Sequence, residues 1–166
     1  MAKTESFDIT TGADLQEVDN AVNQARKEII GRFDFKAVLA ELEFDRAAGT
    51  LEIHTTDEFK LDAIWDLLVG RFVSRGVPVS NIKRGDVQRA GGNTVRQVVT
   101  LVQGIDAETA RRITKFIRDQ KLKRVQSQIQ GDAVRVSAPN RDDLQAVIRA
   151  VSGEDWGVEL KYGNYR

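Results

Sequence analysis

The chain contains no cysteine, so disulfide staples and thiolate metal sites are excluded. Its single histidine, His54, is too little for a histidine-based metal cluster. No apolar run approaches the roughly 18 residues that a membrane-spanning helix needs. Met1 to Glu5 is polar and lacks the apolar stretch of a secretory signal. Neither Gly-x-x-x-x-Gly-Lys-Ser/Thr nor Gly-x-Gly-x-x-Gly occurs, so the two best-known phosphate-cradling loops are missing. No serine stands in a recognisable nucleophile setting. The expectation is a cytoplasmic protein that is not an enzyme, has no membrane partner and needs neither cofactor nor metal.

What is present is a repeat. A strand-like stretch, an amphipathic helix, two strands, a helix and a last strand run from about Ser6 to Arg84. The same order returns from about Val95 to Tyr162. In the first copy Leu15, Val18, Val22, Ala25 and Ile29 recur at helical spacing behind Asp14, a fitting N-cap. Val38, Ala40, Leu42 and Phe44 alternate with polar residues, as do Leu51 and Ile53, so two half-buried strands follow. Thr55 with Glu58 opens a second helix whose stripe is Leu61, Ile64, Trp65, Leu68 and Phe72. In the second copy Asp106 and Asn140 cap helices, the first with the inward stripe Ala110, Ile113, Phe116 and Ile117, the second with Leu144, Val147, Ile148 and Val151. Between those helices Val125, Ser127 and Ile129 alternate with Gln126, Gln128 and Gln130, and Val134 and Val136 line the return strand.

Two βαββαβ copies predict an α+β protein of two tandem ferredoxin-like domains, each a four-stranded antiparallel sheet with two helices on one face. The expected division is 1–88 and 89–166. Gly91-Gly92-Asn93 reads as either a domain boundary or a hairpin turn. Exchange of a terminal strand between the halves is left open. Net charge is zero, yet residues 1–86 hold 11 Lys+Arg against 16 Asp+Glu, and residues 87–166 hold 14 against 9. That split implies two mutually attracting surfaces, or a basic half that handles anions.

Modules of this topology that bind RNA stack bases on aromatic residues of the uncovered sheet face. Here the expected outward residues of the first copy are Ser6, Asp8, Thr10, Glu52 and His54, which are polar and partly acidic. The second copy offers Gln126, Gln128, Gln130, Arg135 and Lys161. Neither has a stacking platform. Amides and a guanidinium can bind base edges and phosphates, so Gln128, Gln130 and Arg135 are candidate contacts. Gly31-Arg32-Phe33-Asp34-Phe35-Lys36 joins two aromatics to two cations. Its rings would stack a base while Arg32 and Lys36 hold phosphate, or Phe33 would staple the helix end and Phe35 fill the core. Arg111, Arg112, Lys115, Arg118, Lys121, Lys123 and Arg124 form the densest basic patch, opposed only by Asp119. It reads as a solvated helix face or as a footprint for an anionic polymer.

Several ordered blocks resemble the YajQ family of small bacterial proteins. They are Ser6-Phe7-Asp8-Ile9, Asp14 to Ala21, Arg32 to Lys36, Gln126 to Asp132, Arg141 to Gln145 and Tyr162-Gly163-Asn164-Tyr165-Arg166. The resemblance runs from Ser6 to Arg166, with Tyr165 where the family pattern has phenylalanine. It implies a tandem ferredoxin-like fold and nucleotide binding without established catalysis, and in some members cyclic dinucleotide signalling. The expected function is thus a non-catalytic nucleotide-binding protein, or more narrowly a cyclic dinucleotide effector. The alternative is an adaptor for RNA or a regulatory protein that uses the Arg111–Arg124 patch. Candidate nucleotide contacts inside the matching blocks, or on the strand face beside them, are Arg32, Phe33, Phe35, Lys36, Gln128, Gln130, Arg135 and Arg141.

Overall fold

The structure is a computed structural model that describes residues 4–166. Its elements follow in the order β1 (Glu5–Thr11), α1 (Leu15–Gly31), a 3-10 turn (Phe33–Phe35), β2 (Ala40–Asp45), β3 (Thr50–Thr55) and α2 (Glu58–Ser74). Then come β4 (Ile82–Ala90), β5 (Thr94–Leu101), α3 (Ala107–Asp119), β6 (Gln126–Gln130), β7 (Ala133–Ala138), α4 (Arg141–Ser152) and β8 (Leu160–Gly163). They form two four-stranded antiparallel sheets, ordered β2-β3-β5-β4 and β6-β7-β1-β8. Each has two helices on one face, as the repeat predicts.

The units do not follow the expected division. One is the contiguous stretch Ala13–Val102. The other is split, joining the chain up to Gly12 with Gln103–Arg166. The expected border between residues 88 and 89 falls inside β4. The reason is local. Gly91, Gly92 and Asn93 make a tight hairpin, with φ of 70° at Gly92 and 60° at Asn93. This turn folds β5 back along β4, from Ile82 opposite Leu101 to Ala90 opposite Thr94. Held there, β5 takes a central place in the first sheet. The equivalent place in the second sheet is filled by β1, between β7 and β8. The division also redistributes charge. Ala13–Val102 carries 12 Lys+Arg against 14 Asp+Glu, and the split unit 13 against 11, a far weaker contrast than the halves of the linear sequence show.

The contiguous unit buries Val18, Val22 and Ile29 of α1 and Leu61, Ile64, Leu68 and Phe72 of α2 against Leu42, Leu51, Ile53 and Val99 of the sheet. Asp14 caps α1 by accepting from the Gln16 N–H at 2.9 Å. The cap of α2 is Asp57, which accepts from the Lys60 N–H at 2.8 Å, and not Thr55. Thr55 is fully buried and donates its hydroxyl to the Leu39 carbonyl at 2.6 Å. The split unit packs Ile113 and Ile117 of α3 and Leu144, Val147 and Val151 of α4 on Phe7, Ile9, Val134 and Val136. Asp106 and Asn140 cap these helices as expected. At roughly 25 cal/mol per Å² of apolar surface removed from water, each cluster is the main stabilising term of its own unit.

Candidate functional site

Alternation along the strands decides which side chains leave the core. In the split unit Gln128 lies opposite Arg135, Gln126 opposite Ser137 and Gln130 opposite Ala133, all on the uncovered face. On β1 Asp8 pairs with Arg135, and on β8 Lys161 pairs with Thr10. The sequence-predicted contacts Gln128, Gln130 and Arg135 therefore share one surface. Ser6, Asp8 and Thr10 belong to it as well, and not to the face bearing Glu52 and His54. Arg135 is committed, however. Its Nε donates to Asp8 Oδ1 at 3.0 Å and its second nitrogen reaches Oδ2 at 3.5 Å, while Asn164 donates to the same Oδ2 at 2.6 Å. The Arg135 hydrogen bond is the main cause that holds the Asp8 carboxyl below its usual range, and Asn164 adds to it against the opposing effect of burial.

The other predicted group lies in the contiguous unit, at the end of α1. Phe35 is 5% exposed and belongs to the core, so it offers no face to a base. Its ring is flanked by Arg32 at 5.5 Å and Lys60 at 5.0 Å. Phe33 is 89% exposed. Arg32 forms a two-pronged pair with Asp34, at 2.9 Å and 2.8 Å, which pulls the Asp34 carboxyl below its ordinary range. Lys36 is exposed. The motif is thus one free ring and one free cation, with its arginine already satisfied.

His54 has partners that the sequence did not reveal. Its Nε2 lies 2.8 Å from Thr94 Oγ1 and its Nδ1 3.5 Å from Glu41. Thr94 donates its hydroxyl proton to the Gly91 carbonyl at 2.7 Å. The imidazole must therefore donate to Thr94, so this row does not activate a nucleophile. Among the described residues no three His, Cys, Asp or Glu side chains cluster to hold a metal ion. No helix among them is long and apolar enough to cross a membrane.

Arg141 stands apart from the other candidate arginines. It opens α4, is 84% exposed and has only a loose ion pair, 3.8 Å to Glu5. It lines a groove of about 400 Å³ with Glu5, Ser6, Leu144, Gln145, Tyr165 and Arg166. The segment after β8 builds one wall. Ser6 and Arg166 exchange both backbone hydrogen bonds, at 3.1 Å and 3.0 Å. Tyr165 leans on Phe7 with ring centres 6.0 Å apart, and more than half of its surface stays open. Cations, a supported aromatic ring and an amide thus meet in one concavity. None of Glu5, Ser6, Gln145, Tyr165 and Arg166 was among the nucleotide contacts expected from sequence, where Ser6 figured only as an outward strand residue and Tyr165 only as a departure from the family pattern. The available signal was the aromatic–cation pair Tyr165-Arg166 inside a block that resembles a family.

A model of the family described as "Nucleotide-binding protein YajQ-like" matches residues 5–166. A nucleotide-binding protein of Bacillus cereus strain AH187 is 46% identical over 166 residues, covering all of both chains. One from Bacillus cereus strain G9842 is 47% identical and one from Bacillus anthracis strain A0248 is 46% identical, with the same complete coverage.

Proposed function

This chain belongs to the YajQ-like family, and on that premise we propose that it binds a nucleotide, without turnover, in the groove between β1, α4 and the Asn164–Arg166 segment. The observation that carries the reading is the convergence of Arg141, Arg166, Tyr165 and Gln145 on one concavity. A phosphate needs a guanidinium with open donors. Arg32 and Arg135 spend their forks on Asp34 and Asp8, whereas Arg141 is held only loosely. The N-terminus of α4 adds partial positive charge, which Asp142 and Asp143 in the first turn oppose, so the arginines supply the main attraction. The outer face of Tyr165 stacks the base. Gln145 and Ser6 then bond the sugar or base edge, and Glu5 accepts from a hydroxyl or amino group.

The volume lies at the low end of the range of roughly 300–1,000 Å³ for small-molecule sites, which suits one nucleotide unit. A cyclic dinucleotide would seat one half in the groove and leave the other at its mouth.

Titration calorimetry against mononucleotides and cyclic dinucleotides tests the site. Arg141→Ala is expected to weaken binding by about tenfold or more, the loss of one charge-assisted contact. Tyr165→Ala should cost a similar factor, the value of about one stacked base. Both should leave the melting temperature within a few degrees. The double variant Arg32→Ala/Lys36→Ala asks the same of the α1 end. Loss there with full affinity in Arg141→Ala overturns the groove.

A further inference from the structure

Two carboxylates on β1 meet opposite fates. Asp8 accepts from two nitrogens of Arg135 and from Asn164, so both of its oxygens are engaged. Glu5 lies opposite Ala138 on β7 and so shares the covered face of β1 with Phe7 and Ile9. Its Oε2 is closed off from solvent and has no hydrogen-bond partner among the described residues. Its ion-pair partner Arg141 holds Nε 3.8 Å away, too far for a hydrogen bond. The other side-chain atom in this condition, Arg96 Nε, lies against the Glu52 carboxylate. Glu5 Oε2 is thus the one buried side-chain acceptor left open among the described residues. A buried acceptor without a donor destabilises the fold, the more so when it is charged. The fold tolerates this in the groove, which Glu5 lines with Arg141, Tyr165 and Arg166.

An ionised carboxylate accepts and cannot donate, so the missing partner is an O–H or an N–H. A phosphate is excluded, because it also accepts and bears the same charge. On a nucleotide the donors are the hydroxyls of the sugar and the N–H groups of the base. Position separates them. Arg141, the guanidinium free to hold phosphate, is beside Glu5, so the donor must lie next to the phosphate along the ligand. The sugar is there, whereas the base edge is at the far end, beyond the ring that Tyr165 stacks. Of the ribose hydroxyls, the 3′ is esterified in a cyclic dinucleotide. The 2′ is free both there and in a mononucleotide. A carboxylate this close to a phosphate-binding guanidinium weakens the attraction for phosphate, and a hydroxyl contact offsets that loss.

On the premise that the groove takes a nucleotide, we propose that Glu5 Oε2 accepts from its 2′-hydroxyl, so that the site selects ribonucleotides over 2′-deoxyribonucleotides. Glu5 is then a specificity-determining residue, and Arg141 supplies the affinity that both sugar types share.

Titration calorimetry of the full chain with AMP, GMP and their 2′-deoxy counterparts tests this. The 2′-deoxy form should bind about ten- to a hundredfold more weakly than its ribonucleotide, the value of a hydrogen bond to a charged group. Glu5→Ala should bring the two forms to within about twofold of each other, by weakening the ribonucleotide while the deoxy form binds as tightly as before or more tightly. Glu5→Gln keeps the shape and an acceptor without the charge, and should retain a discrimination between these limits. Equal binding of the two forms by the parent chain overturns the proposal and leaves the groove standing. So does a discrimination that survives undiminished in folded Glu5→Ala or Glu5→Gln. If neither ribonucleotide nor deoxyribonucleotide binds, the nucleotide reading of the groove falls, and the 2′-hydroxyl contact with it.

Discussion

Asp8 and Arg135 face each other across β1 and β7, and Asn164 closes over them. Read from the sequence, Arg135 was an open guanidinium on a free sheet face. In the structure it ties the first strand to a partner 127 residues away. This pair gives folding a pH dependence of definite sign. The folded-state carboxyl is held below its unfolded value, chiefly by the Arg135 hydrogen bond. Its stabilisation is therefore present above the unfolded value and is lost as pH falls through the folded one. Arg135→Gln should be less stable than the parent at pH 7, and the difference should shrink below about pH 4. Urea denaturation at pH 7 and pH 3 measures it, and a difference that grows on acidification would contradict the assignment. The same lesson holds at Arg32. Its partner Asp34 is two residues away, but only the 3-10 turn brings their side chains together.

Among the elements, the β4–β5 hairpin does most to set the architecture. Between Arg84 and Val87 the pairing register shifts, and Gly85 sits at that irregularity. A Cβ built on Gly85 would lie 2.7 Å from the Val98 carbonyl oxygen, which is backbone and cannot swing aside. The buried Gln97 stitches the same place, donating to the Gly85 carbonyl at 2.8 Å and accepting from Arg84 at 3.1 Å. Gly85→Ala should destabilise the contiguous unit by about 1–3 kcal/mol, the usual cost of forcing an extra carbon into a filled space. Denaturant unfolding would show it, and an unchanged midpoint would mean that the strand is free to shift. Most helices and strands were legible in the sequence because their signals are local. Leu61–Ile64–Leu68–Phe72 declares a helix, and Leu51–Ile53 declares a strand, with no knowledge of partners. Phe33–Phe35 was not legible as a turn, because its two rings suit a strand entrance equally well.

For the molecule as a whole, the repeat was visible but the ownership of its first strands was not. Alternation in Phe7–Ile9 says that one face is buried, and says nothing of the core that buries it. The groove was illegible for a related reason. Its walls come from residues 5–6, 141–145 and 165–166, which no spacing rule connects. The exchange makes a prediction that linear domain borders do not. A fragment of residues 13–102 contains every strand of its own sheet and should unfold cooperatively by itself. A fragment of residues 89–166 lacks Phe7 and Ile9, both fully buried, and should stay without a fixed core. A peptide of residues 1–12 added to residues 103–166 should restore helical circular dichroism. If residues 89–166 fold unaided, β1 is dispensable and the exchange has been given too much weight.

One outcome of this layout concerns the ribosome. The segment that becomes β1 is synthesised before everything it pairs with, and Arg135 follows Asp8 by 127 residues. At about 5–20 residues per second, Phe7 and Ile9 wait on the order of ten seconds while Ala13–Val102 emerges and can collapse around its own apolar face. The nascent chain must keep a sticky, strand-forming leader soluble for that interval, and holdase chaperones would meet it there first.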